Sequence, residues 1–320
     1  MAAPHRSVFL PENVFPPERV PSLLTRSAVK QQLYSVDTYF RDSWEDLAGV
    51  CNSRAAEIAG RHAFLLLKPD AVVRRQLSAA LKWLSAQRWE VVHARRFRVN
   101  RWAVRALWQY QWNTATRDRR EMADRYMSAT DSLVLVLRVT DESTEWACTE
   151  LTRAKGGSDP LRCRPGQLRH ALGTLNQQLN LVHSADEPAD LIREIGICCP
   201  AEERSALYTA LADGADAWGE AFALAHELEA GQELRDLSLS GTVEQVLARA
   251  GRSTELHDCL TRLSAGDEVS WPAVSRAAER SGVDLGDWER IVLGTYLLVP
   301  TLAGVTPLLP DGSAHPPELP

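Results

Sequence analysis

The residues of this chain that could do chemistry stand at the ends of apolar runs. His183 lies in Asn180-Leu181-Val182-His183-Ser184-Ala185-Asp186, after a strand-like run at 179–182 and before a helical pattern that starts near Pro188. A histidine at a sheet end facing a helix N-terminus occupies a place that favours anions. Glu194 follows on that helix. A carboxylate bonded to one imidazole nitrogen fixes the tautomer and leaves the other nitrogen free to attack. Lys68-Pro69-Asp70 ends a second apolar run, Ala63 to Leu67. If both strands lie in one sheet and point the same way, Lys68 and His183 open on one edge. Arg169 follows a Gly/Pro loop at 155–166, and Arg117 stands in Arg117-Asp118-Arg119-Arg120. Two arginines and a lysine around a histidine make a phosphate site with a nucleophile inside it. For Arg117 a solvated helix face is the competing reading.

These residues need elements to position them. The short apolar run at 63–67 predicts a buried strand, which Pro69 ends. Helical spacing follows in Val72, Val73, Leu77, Ala80, Leu81 and Leu84. Residues 89–99 alternate like a strand, 101–126 read as helix broken near Asn113-Thr114, 132–139 as strand and 143–152 as helix. The order predicts an α+β domain of ferredoxin-like type, an antiparallel sheet with helices packed on it. Before it, 1–24 read as a Pro-rich arm or a docked extended segment and 27–58 as mostly helical. After it, apolar residues at helical spacing predict an all-α extension over 201–305, with a helix starting at Ser270-Trp271-Pro272. A Pro-rich flexible tail is expected over 306–320.

Composition narrows the class. The 320 residues are 45% apolar and 24% charged, enough to bury a core without staples. No run reaches the roughly 20 apolar residues of a membrane span, and prolines with Glu12 and Glu18 break any signal-peptide pattern. The net charge of −6 hides a division. Residues 201–320 hold 20 acidic against 8 basic residues, whereas 1–200 hold 22 against 28. A basic N-terminal part suits a polyanion such as a nucleotide. Only four lysines occur, Lys30, Lys68, Lys82 and Lys155, so each merits attention. The six cysteines form no zinc spacing and read as reduced packing thiols in the cytoplasm.

Residues 61–200 resemble the nucleoside diphosphate kinase family. The resemblance rests on Phe64-Leu65-Leu66-Leu67-Lys68-Pro69-Asp70-Ala71-Val72, on Ser158-Asp159-Pro160 through Pro165-Gly166 to Arg169, and on Asn180-x-x-His183-x-x-Asp186 with Glu194 eleven residues later. It implies ping-pong phosphoryl transfer. His183 would take the γ-phosphate of ATP or another nucleoside triphosphate and pass it to a nucleoside diphosphate or related small acceptor. Glu194 would orient the imidazole, and Lys68 and Asn180 would contact ribose hydroxyls and phosphates. Arg117, Ser158 and Arg169 would hold phosphates, and Tyr110 would be the tyrosine near the site. Mg²⁺ would arrive with the nucleotide, with no metal ligated by the chain alone. The resemblance also implies a homo-oligomer, and residues 201–305 could bind a protein partner.

The sequence departs from the family in four ways. Ser184 and Ala185 replace the usual Gly-Ser, which removes a hydroxyl that helps Glu194. Asp118-Arg119-Arg120 stand where the family has an aromatic that stacks on the base. The segments Tyr110 to Arg117 and Arg169 to Asn180 are each one residue longer. The family's arginine before the nucleotide loop falls on Thr152 or Arg153. Trp108 or Trp112 could supply the missing aromatic, although packing is the competing reading for every tryptophan here. The expectation is therefore phosphate and histidine chemistry kept, with base recognition changed. The alternative is a nucleotide-binding regulatory or scaffold protein with little turnover; a nucleic-acid binder has no motif to mark it.

Overall fold

A computed structural model of the chain describes residues 20–140, 145–252 and 254–309. The sheet is four-stranded, in the order β2-β3-β1-β4, and every pairing is antiparallel. Its strands are β1 (His62–Leu67), β2 (Trp89–Phe97), β3 (Ser132–Val139) and β4 (Val182–Ser184). β1 is the inner strand beside β4 and is buried along its whole length, as its unbroken apolar run requires.

Three helices precede the sheet: α1 (Ala28–Ser35), α2 (Thr38–Cys51) and α3 (Ala55–Arg61). α4 (Pro69–Val73) and α5 (Leu77–Ala86) follow β1, with Pro69 at the first helical position, where its missing N–H costs nothing. α6 (Arg101–Leu107), a 3-10 turn at Trp112–Thr114 and α7 (Arg117–Met127) connect β2 to β3, so the break expected near Asn113 is present. α8 (Ala147–Lys155) and α9 (Leu168–Leu172) lead to β4, and α10 (Pro188–Cys198) closes the domain. The α+β fold expected from the sequence is therefore observed.

The N-terminal helices are built into this domain. Lys30 Nζ donates to Glu187 and Asp190, both at 2.7 Å, and Tyr34 donates to Asp190 at 2.6 Å. Burial works against the Lys30 charge, but Asp190 and Glu187 outweigh it and raise its pKa. Deeper in, Arg193 donates to Asp37 at 2.8 Å, and Asp37 also accepts from Tyr110 at 2.8 Å. α2 crosses α10 so closely that a Cβ on Gly196 would lie 2.3 Å from the Tyr39 carbonyl oxygen. Of the stretch read as an arm or a docked extended segment, residues 20–24 are docked, with Val20 and Leu24 buried. Residues 1–19 lie outside the described residues.

The C-terminal extension is helical, but it has two parts. α11 (Ala201–Asp213) and α12 (Trp218–Ala230) add Leu207, Tyr208, Leu211, Ala221 and Leu228 to the main core. α13 (Leu239–Arg249), α14 (Glu255–Ser264), α15 (Trp271–Arg280) and α16 (Asp287–Leu297) enclose a second core of Val243, Val246, Leu256, Leu260, Val274 and Leu293. α16 joins the two, since Ile291 and Val292 belong to the main core. Gly294 lets it meet α7: a Cβ there would sit 2.0 Å from the Met122 methyl. The expected boundary at 306 is displaced. Thr306 accepts from Asn113, Leu308 and Leu309 donate to Asn113 and Tyr110, and Leu309 is buried. The rest of the tail, 310–320, lies outside the described residues.

Candidate active site

β4 runs antiparallel to β1, not in the same direction. The two key residues meet because β4 begins where β1 ends: Leu67 pairs with Val182 and Leu66 with His183. His183 is thus inside β4, and the strand expected at 179–182 starts only at Val182. Leu181 explains the shift, with a left-handed φ of 69° that no strand residue adopts. Such a backbone persists only where its surroundings hold it. Here Leu181 N donates to Asp70 at 2.9 Å, and its carbonyl accepts from Lys68 N at 2.9 Å. Asp70 is fully buried and also accepts from Tyr126 at 2.5 Å. The Lys-Pro-Asp turn is therefore clamped to the segment that carries Asn180 and His183.

His183 Nε2 lies 2.9 Å from Glu194 Oε1. Glu194 reaches back from the second turn of α10, leaving Nδ1 as the ring nitrogen not tied to the carboxylate. The N-terminus of α10 does not serve as the anion site expected from the sequence. Its own Asp190 accepts from Glu187 N, and Lys30 binds both acids. Glu194 Oε2 is buried with no hydrogen-bond partner.

One pocket of about 350 Å³ gathers Lys68, Lys155, Ser158, Arg169, Asn180 and His183. Lys68 is buried and donates to Asn180 Oδ1 at 2.5 Å and to the Gln178 carbonyl at 2.8 Å. Burial is the main cause that lowers its pKa to about 8; Asp70 opposes this, and Arg169 and Lys155 add to it. Such a lysine gains its full charge when an anion arrives. Arg169 is buried and donates to the carbonyls of Gly156 and Val182 at 2.9 and 2.7 Å, spanning the Gly-rich loop and the histidine strand.

Two expected site residues lie elsewhere. Arg117 is at the exposed start of α7 and pairs with Glu121 at 2.7 Å. The solvated face wins because Thr116 caps the helix and turns its first residue outward, and Arg119 lines the pocket instead. Tyr110 is buried against Asp37 and Arg193, away from the pocket lining; burial first, then Asp37, raises its pKa. The ring beside His183 is Trp108, edge-on at 5.3 Å, with Trp112 stacked on Trp108 at 5.3 Å. The Trp pair thus packs on itself and on the histidine, while Arg119 sits over Trp112.

The spacing carried over from the resemblance missed three groups. Lys155 lines the pocket and donates to Ser184 Oγ at 2.6 Å; the scarcity of lysine was its signal. Asp70 was visible in the Lys-Pro-Asp motif, although its clamping role was not. Thr301, Val305 and Pro307 also line the pocket, and no sequence signal ties them to it.

Residues 61–204 match the sequence model of the family described as nucleoside diphosphate kinase. No curated protein matches the chain. Among solved structures, the chain is similar to nucleoside diphosphate kinase from Encephalitozoon cuniculi at 18% identity and a TM-score of 0.38, covering 43% of this chain and 87% of that one. It is similar to the Aquifex aeolicus enzyme at 19% and 0.37, covering 43% and 93%. An NDP kinase from Pyrobaculum aerophilum gives 18% and 0.38, covering 45% and 97%. Residues 61–204 are thus a diverged domain of the nucleoside diphosphate kinase family, set in a longer chain with helices of its own on either side.

Proposed function

We propose that the chain is a phosphotransferase in which His183 takes the γ-phosphate of a nucleoside triphosphate such as ATP and hands it to a nucleoside diphosphate or related small acceptor. The observation that carries this reading is the convergence of Lys68, Lys155, Arg169 and Asn180 on one pocket with a histidine held by Glu194. Glu194 fixes the Nε2–H tautomer, so the lone pair of Nδ1 attacks phosphorus. The Nδ1–P bond forms as the bond to the bridging oxygen of the diphosphate breaks, and that oxygen leaves as part of the diphosphate. The acceptor's terminal oxygen then reverses the step. Lys68, Lys155 and Arg169 offset the phosphate charge, so catalysis is positioning and charge neutralisation.

Mg²⁺ fits as a passenger on the triphosphate. The pocket lining contains three buried cations and a single carboxylate, Asp186, a poor donor set for a metal held by the chain but a good one for phosphates. No helix among the described residues is long and apolar enough to cross a membrane, and we place the protein in the cytoplasm.

Incubation with γ-labelled ATP and Mg²⁺ tests the reading. Acid-labile, alkali-stable label is expected on the wild type and absent from His183→Ala, and a nucleoside diphosphate chase should remove it. ATP binding without label would reject turnover and leave the second reading, a nucleotide-binding regulator. The unpartnered Glu194 Oε2 and the outward-facing Arg117 favour that reading. In either case we infer that the helical extension over residues 201–305 is the surface for a protein partner. Whether the chain forms a homo-oligomer, as the family resemblance suggests, is decided by its mass in solution.

A further inference from the structure

The pocket is not closed by the kinase domain alone. After α16 the chain turns back along residues 110–116. Thr116 Oγ1 donates to the Val299 carbonyl at 2.6 Å, and Leu302 N donates to the Thr114 carbonyl at 2.7 Å, around a bridge between Ala115 and Thr301. Asn113 holds Thr306 and Leu308, and Leu309 N donates to the Tyr110 carbonyl at 3.0 Å. Leu309 is 2% exposed and joins the main core. At its other end the segment continues from α16, which also grips the loop ahead of Asn180: Asn176 donates to Thr295 at 3.2 Å, and Tyr296 donates to the Leu175 carbonyl at 3.3 Å. A strap fixed at both ends by main-chain bonds and a buried side chain is a wall, not a loose flap.

Between its anchors, Thr301, Val305 and Pro307 line the same pocket as His183. They bring an apolar surface and one hydroxyl to a pocket whose cations serve the phosphates in the reading above. Trp108 and Trp112 stack on each other, and Arg119 lies over Trp112, so one face of Trp108 and both faces of Trp112 are already engaged. At about 350 Å³ the pocket lies at the small end of ligand sites, roughly 300–1,000 Å³.

We propose that residues 299–309 are the specificity wall of the His183 pocket: Thr301, Val305 and Pro307 contact the nucleoside end of the triphosphate, in place of a stacking aromatic. This rests on the phosphate-site reading above. Its ligand is therefore a nucleoside phosphate whose organic end fits against the chain's own C-terminal segment.

Calorimetric titration of the full chain with ATP and with inorganic tripolyphosphate tests it. Val305→Trp fills the wall at a partly exposed position, and Leu309→Asp releases the strap's far anchor without changing a lining residue. Both are expected to weaken ATP about tenfold while tripolyphosphate stays within twofold. If ATP is unaffected by Val305→Trp, or loses no more than tripolyphosphate does, the wall is rejected. Tighter ATP binding in Leu309→Asp makes the strap an obstruction and also rejects it. If wild type binds ATP but not tripolyphosphate, the phosphate-site reading fails, and this proposal fails with it. Should Leu309→Asp not fold, Val305→Trp decides alone.

Discussion

The two ends of the pocket differ in origin. The proposed phosphate end gathers Lys68, Lys155, Ser158, Arg169, Asn180, Val182 and His183, all within the family-matched domain and mostly buried. The rest of the lining includes Trp108 beside His183, Trp112 and Arg119, together with Thr301, Val305 and Pro307, the last three from beyond that domain. Phosphate is the same in every nucleotide, so its binding groups sit where the sheet and its turns fix them. The rest of a ligand varies, and the wall proposed to meet it is assembled from the α6–α7 connection and a C-terminal segment. Loops and added segments carry specificity because they can change without disturbing the sheet.

The largest effect expected from breaking this contrast is at the phosphate end. Lys68→Ala removes a buried cation and leaves Asn180 Oδ1 without its donor. A hydrogen bond to a charged group contributes roughly 1.5–3 kcal/mol, so tripolyphosphate affinity should fall roughly 10- to 150-fold. Arg117→Ala should change it less than twofold, since Arg117 faces solvent. Titration calorimetry of both variants measures the contrast, and equal losses would put Arg117 back in the site.

The same lysine predicts a pH dependence. With its pKa lowered by burial to about 8, Lys68 loses its proton as pH rises through about 8. Tripolyphosphate affinity should therefore fall between pH 7 and 9, and binding near pH 8 should take up a proton. Folding responds in the opposite direction. The unfolded lysine stays protonated up to its ordinary value, so this group's contribution to stability increases from about pH 8 upward. A Lys68→Met variant should lose both slopes.

Much of this site was legible in the sequence, and for a physical reason. Lys68, Asn180, His183 and Glu194 lie within two residues of a strand or on a helix, so apolar runs placed the elements that carry them, and the Lys-Pro-Asp and Asn-x-x-His motifs of the resemblance picked out the residues. The sheet then brought them together, through the antiparallel pairing of β4 with β1 and not through two strands running the same way. Arg117 and Tyr110 were misplaced because both lie in or beside the irregular connection between α6 and α7 at 108–117. There a shift of one or two residues swaps the ring beside His183 and the arginine at the pocket. The strap was invisible because its pairing with 110–116 links residues nearly 190 apart through hydrogen bonds that are mostly main-chain. Main-chain pairing of that kind leaves no pattern in side-chain chemistry.

A smaller effect tests how the N-terminal helices support the catalytic helix. Gly196→Ala places a methyl against the Tyr39 carbonyl and forces α2 away from α10. Overpacking of this kind costs roughly 1–3 kcal/mol. Denaturant unfolding should show that loss. Because Glu194 lies two residues earlier on α10, histidine phosphorylation should slow as well. A loss of stability with unchanged phosphorylation would mean that α2 braces the fold but not the site.

The smallest effect lies at the carboxylate itself. Glu194 Oε2 is buried and unpartnered, and Ala185 follows the histidine strand where the family places a serine. Ala185→Ser offers a hydroxyl at that position. A satisfied buried acceptor gains roughly 0.5–1.5 kcal/mol, so a melting temperature a few degrees higher is expected. The phosphorylation rate should rise a fewfold if the unpaired oxygen lets the carboxylate, and with it the imidazole, drift from the attack geometry. A rise in stability alone would show that the single bond from Glu194 Oε1 to His183 already holds the ring, and that this chain has dispensed with the serine at no catalytic cost.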